Sequence, residues 1–269
     1  MFSRLAACGL AVTLALPVHA DPAEDLLDAL KIGEIVELMR VEGQGYAEGM
    51  AKDLLPAGGT PAWQQAVDRL YTPEAMEEVV RAGFLKSFGD TDAAPLLAYF
   101  GSDAGQEVVT LEIEARRAMV DPDVEAAARE AWRERAGSGD ARLDQLDHFV
   151  EANDLLETNV VGALNASFQF YLGLVDGGGL EMTETEIVEE VWMQEEATRA
   201  DTLEWLYGYL LLAYRPLSDA DLDAYIDISA TPEGKTMNRA LFAGFNAMYN
   251  EISYGLGLAA AHEMLAQEL

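Results

Sequence analysis

Residues 231–236 read Thr231-Pro232-Glu233-Gly234-Lys235-Thr236. Two readings compete for them. Gly234-Lys235-Thr236 matches the end of a phosphate-binding P-loop, whereas Thr-Pro is how many α-helices open. A P-loop needs a second glycine five residues before the Gly of Gly-Lys-Thr, and a strand in front of the loop. The first position holds Ser229, and Asp219 to Ser229 has a helical pattern, so both requirements fail. The segment is therefore a helix start. Thr231 caps it by accepting from an otherwise orphaned N–H, and Pro232 has no N–H to orphan. Glu233 suits the positive end of the helix dipole.

The same punctuation recurs along the chain. Asp21-Pro22, Thr60-Pro61, Thr72-Pro73 and Asp121-Pro122 each pair an N-cap residue with proline. Ser218 and Thr183 are followed three residues later by Asp221 and Glu186, a capping-box-like start. Between these signals apolar residues step by three and four: Met237, Leu241, Phe245, Met248, Ile252 and Leu256 in the last segment. No run has sustained two-residue alternation. The fold class expected is all-α, a multi-helix bundle of about ten or eleven helices. They are placed at 22–31, 33–54, 61–70, 73–88, 92–100, 103–119, 122–135, 141–175, 184–214, 219–229 and 232–266.

One internal match stands out. Asp90 to Gln106 lies over Asp219 to Lys235 without a gap, bringing Asp92 opposite Asp221 and Gly105 opposite Gly234. Glycine is a poor former in a first helical turn, so Gly105 and Gly234 are expected where another helix crosses closely. Two related helical units follow, residues 21–136 and 137–269, packed as one body through a long helix 141–175. With these residues the chain resembles the bacterial domain-of-unknown-function family 2059. The family hallmark is a short helix ending in an aromatic residue, followed by a small-Pro-x-Gly-Lys/Gln turn. It maps to Tyr99-Phe100-Gly-Ser-Asp-Ala-Gly105-Gln106 and to Ile228-Ser-Ala-Thr231-Pro232-Glu-Gly234-Lys235. Asp103 replaces the proline in the first copy, and Ser229 the aromatic residue in the second. The resemblance implies an exported helical protein and no particular chemistry.

Composition narrows the partners. Against 48 acidic residues stand 17 basic ones, a net charge of −31. Such a field repels nucleic acid and anionic membrane surfaces. Residues 1–20 have the layout of a signal peptide: Arg4, an apolar run from Leu5 to Leu16, then Val18 and Ala20 before a cleavage point. Cleavage there removes Cys8, the only cysteine. No later stretch reaches the ~18 apolar residues of a membrane span. A periplasmic or secreted location follows.

No catalytic motif survives inspection. His262-Glu263-Met264-Leu265-Ala266 begins like a zinc-protease helix, but Ala266 stands where the second His belongs. Asp219-x-Asp221-x-Asp223 begins like a calcium loop, but Ala224 and Ala230 replace its Gly and Glu. Gly-x-Ser-x-Gly is absent. No metal, cofactor or catalytic residue is assigned. No acidic residue stands out from so acidic a background.

Two asparagines do stand out. Asn153 lies on the apolar face of helix 141–175, and Asn238 falls within that of the last helix. Buried asparagines commonly cross-link helices; in an apolar groove they can also anchor a ligand. Asn159 and Asn165 rotate away from Asn153 on a continuous helix. Trp205 and Tyr209, with Tyr207 and Tyr214, either fill the core or line a pocket. Asn153, Asn238, Trp205 and Tyr209 are the candidate ligand-binding residues. The function expected is non-catalytic: binding an envelope protein or an apolar small molecule. A carboxylate-dependent hydrolase of envelope polymers and a self-associating structural protein are the alternatives.

Overall fold

The computed structural model describes residues 21–55 and 58–267; the expected signal peptide and its cleavage point lie outside them. The described residues form thirteen α-helices and no strand. The first seven are α1 (Pro22–Ala29), α2 (Ile32–Leu54), α3 (Pro61–Leu70), α4 (Pro73–Phe88), α5 (Ala94–Phe100), α6 (Asp103–Ala118) and α7 (Pro122–Arg135). Then follow α8 (Ala141–Ala152), α9 (Leu155–Asp176), α10 (Glu184–Met193), α11 (Glu195–Tyr214), α12 (Asp219–Ala230) and α13 (Pro232–Gln267). The all-α bundle is as the periodicity indicates, and the Pro punctuation marks the start of α1, α3, α4, α7 and α13.

Two expected helices are each broken in two. Helix 141–175 divides at Asn153-Asp154. The Asn153 side chain donates to the Phe149 carbonyl (3.0 Å), competing with the helical ladder, and Asp154 turns the chain with φ +52°. Short polar side chains of this kind are the ones that tolerate a left-handed residue. Helix 184–214 divides at Gln194, whose N–H bonds to Val191 in a tightened, three-residue turn (3.1 Å).

Helix α13 is the axis of the bundle. Its 36 residues span about 54 Å at 1.5 Å each. Helices α4 and α9 lie along it, and glycines set both crossings. A Cβ on Gly83 would sit 2.7 Å from Gly244 Cα, and one on Gly257 would strike the Phe170 carbonyl. The side chains buried most completely come from both halves of the chain, Phe84 and Phe100 with Tyr214 and Met237, and they belong to one continuous core.

The turns before α6 and α13 share their local geometry. Ser102 Oγ donates to Tyr99 O (2.6 Å) and accepts from Gly105 N (3.2 Å). Thr231 Oγ1 donates to Ile228 O (2.7 Å) and accepts from Gly234 N (3.0 Å). A Cβ on Gly105 would strike the Tyr99 carbonyl, and one on Gly234 the Ile228 carbonyl. Each glycine thus lies against the last turn of the helix just before it. Pro232 occupies the first position of α13, where no N–H is required. The short helices differ: in the gapless alignment α12 begins four residues earlier than α5.

Candidate functional site

Where α2, α6, α9, α11, α12 and α13 converge, the bundle leaves a cavity of about 340 Å³. Its walls are mostly apolar: Leu38 and Met39 from α2, Leu206 and Leu210 from α11, Leu241 and Phe245 from α13. Hollows of about 450 Å³ and 510 Å³ adjoin it and share Arg116 and Tyr249, respectively, with its lining. A volume of this order, apolar with few polar groups, is what small-molecule sites have.

Beside the amides of Asn159, Asn238 and Asn246, two charged sets stand at the cavity. In the first, Glu112 projects from α6 into an aromatic cluster. Its Oε1 accepts from Tyr214 (2.5 Å) and Tyr225 (3.0 Å), and its backbone carbonyl accepts from Tyr209 (3.2 Å). Phe149 closes the cluster, its ring centre 5.1 Å from that of Tyr225 and 6.0 Å from that of Tyr214. Burial pushes the Glu112 carboxyl above its ordinary range; the two phenol hydrogen bonds oppose this without reversing it. Burial, and then the nearness of Glu112, push Tyr209, Tyr214 and Tyr225 well above the usual phenol range. Among the described residues, no cation pairs with Glu112 and its Oε2 has no hydrogen-bond partner.

The second set is a complete ion pair. Arg116, one helical turn on from Glu112, engages both oxygens of Glu42 through Nε (3.0 and 3.2 Å) and Nη2 (2.8 Å). Its guanidinium also lies 6.0 Å from the centre of the Trp205 ring, in range for a cation–π contact. The side chains of Arg116 and Glu42 are only 22% and 27% exposed. This pair stands where the cavity meets its neighbouring hollows.

Three of the four residues singled out in the sequence, Asn238, Trp205 and Tyr209, line the cavity. Asn153 lies behind the wall, and its Oδ1 accepts from Asn238 Nδ2, so the two asparagines cross-link α8 and α13. Trp205 and Tyr209 stack at 5.2 Å between ring centres. Asn159 also reaches the cavity, contrary to the rotation computed for one continuous helix. The break at Asn153-Asp154 resets the register of α9 and turns Asn159 inward. Both histidines among the described residues, His148 and His262, are exposed. Among the described residues no three His, Cys, Asp or Glu side chains are placed to hold a metal ion.

Glu112, Arg116, Tyr225 and Asn246 are polar site residues that the sequence did not single out. For Glu112 a signal was present. Gly105, Val108, Val109, Ile113 and Ala115 are the buried residues of α6, and Glu112 falls among them, three residues after Val109 and three before Ala115. That is the pattern that marked Asn153 and Asn238, hidden here by the abundance of acids.

Residues 74–134 match the model of a family described as "Uncharacterized protein conserved in bacteria (DUF2059)". The match runs from α4 into α7 and includes the turn at Ser102–Gln106, but not the one at Thr231–Lys235. The chain is thus similar to that family in one copy, where the sequence suggested two. None of the curated proteins and none of the solved structures matches the chain. No described helix is long and apolar enough to cross a membrane.

Proposed function

We propose that the protein binds an apolar small molecule in the cavity between α6, α11 and α13, without catalysing its conversion. The observation that carries this reading is the cavity itself: about 340 Å³, apolar walls, and one free carboxyl oxygen. Hydrolysis by a carboxylate pair needs two acids converging on one bond. Glu112 is the single acid among the residues lining this cavity. Titration with N-phenyl-1-naphthylamine, which brightens in apolar surroundings, tests the proposal. The wild type should bind it saturably at one site. Leu241→Trp, which fills the cavity, should weaken binding at least about tenfold while keeping its helical circular dichroism. A wild type that shows no saturable binding sinks the reading.

Export to the periplasm belongs to the same proposal and rests on the layout of residues 1–20. Protein recovered from the envelope should begin at Asp21; a chain that still starts at Met1 contradicts it. Self-association has one observation in its favour, the 69% and 73% exposure of Trp192 and Met193 at the α10–α11 corner. A Trp192→Asp change should dissociate any dimer seen by sedimentation, and a wild-type monomer rules this reading out.

We also read Ile228–Lys235 as a second, divergent copy of the unit at Tyr99–Gln106, on the strength of the shared turn geometry. Ser102→Ala and Thr231→Ala should then cost about 1 kcal/mol each, as lost N-caps do. A loss confined to one turn would separate the two.

A further inference from the structure

We infer that the cavity selects an amphiphile with a protonated amine at one end, its ammonium on Glu112 Oε2 and its apolar body among the side chains of α2, α11 and α13. The inference rests on the ligand-binding reading above and adds the chemical class of the ligand. Four observations carry it.

Glu112 has acceptor capacity to spare. Both donors to its carboxyl, Tyr214 and Tyr225, go to Oε1, and Oε2 has no partner among the described residues. A carboxylate can take about four hydrogen bonds, so the arrangement is half complete. Glu112 also lacks a counter-charge, whereas the nearest cation, Arg116, is committed to both oxygens of Glu42. An anionic headgroup would meet the charge of Glu112 beside a guanidinium whose charge is already shared with Glu42. A burial-raised carboxyl is what an unpaired acid in apolar walls shows, and an arriving ammonium supplies the missing charge. Aromatic side chains cluster at the acid, Tyr214, Tyr225 and Phe149 among them, and offer apolar contact to the methylenes beside an ammonium. Finally, the net charge of −31 concentrates cations around the molecule and excludes anions.

The experiment compares three ligands with one alkyl chain and three headgroups: decylamine, decanol and decanoate. Each competes with N-phenyl-1-naphthylamine at neutral pH, below its micellar concentration. Decylamine should bind about tenfold tighter than decanol, as charge-assisted hydrogen bonds allow, and decanoate weakest of all. Repeating the series in high salt removes the general pull of the surface charge and should leave the order unchanged. In Glu112→Gln, the preference for decylamine over decanol should disappear, each affinity being taken relative to that variant's own affinity for the naphthylamine probe. Equal affinities, or a preference for decanoate, overturn the inference and leave the apolar site standing. If the probe itself does not bind, the ligand reading fails and the inference fails with it. The wild-type series decides without any variant, so poor folding of Glu112→Gln leaves the outcome readable.

Discussion

Two carboxyls stand in opposite states, Glu112 in the lining of the cavity and Glu42 in that of the two hollows beside it. Glu42 faces a bidentate guanidinium, so its charge is matched oxygen for nitrogen. Glu112, on the same helix as that guanidinium and one turn earlier, faces phenols instead. Phenol hydrogen bonds ease a buried carboxylate but bring no positive charge. The difference separates structure from site. The Glu42–Arg116 pair is finished within the fold and ties α2 to α6. The Glu112 cluster keeps one carboxyl oxygen without a partner among the described residues.

The comparison can be broken most severely on the Glu42 side. Arg116→Ala strands Glu42, and the expected cost is about 2–3 kcal/mol in the denaturation midpoint. That lies somewhat below the loss for a fully buried pair, because both side chains keep some exposure. A cost under about 0.5 kcal/mol would reduce the pair to an ordinary surface contact.

Tyr214→Phe probes the Glu112 side. It removes one of two donors to Oε1 and should cost about 1–2 kcal/mol, while pushing the Glu112 carboxyl still higher. No loss of stability would mean that the 2.5 Å contact contributes nothing. Replacing Glu42 and Arg116 together by Met should cost less than Arg116→Ala alone, within about 1 kcal/mol of wild type, since no charge is left stranded.

The pH comparison of wild type with Glu112→Gln reads a sign. The folded-state value of Glu112 is raised by burial. The stability tied to its proton is therefore fully present below the unfolded value, about pH 4. It is lost as pH rises through the higher folded value. Stability of Glu112→Gln relative to wild type should increase over that window and then level off. All other acids cancel in the difference. A relative stability that falls with rising pH would place a cation beside Glu112.

The fold was legible because helix punctuation is local. Thr60-Pro61, Thr72-Pro73, Asp121-Pro122 and Thr231-Pro232 each report a start without reference to distant residues. The two missed breaks, at Asn153-Asp154 and Gln194, have no proline or glycine to mark them. The cavity was legible only through exceptions to a pattern. Asn238 shows as a polar residue on an apolar face, and Trp205 and Tyr209 as a dense aromatic pair. Glu112 carries the same kind of signal, but 48 acids make one acid inconspicuous. That Arg116 is occupied by Glu42 while Glu112 is left unpaired depends on how α2 lies against α6, across 74 residues of chain. No local pattern encodes that.

The most direct test of the account is the titration of the Glu112 side-chain carboxyl by carbon-13 NMR, with its signal assigned by its loss in Glu112→Gln. In the free protein the midpoint should lie above the ordinary glutamate range, and saturating decylamine should lower it. A midpoint at or below the ordinary range, unmoved by decylamine, would contradict the claim that this carboxyl waits for a positive partner.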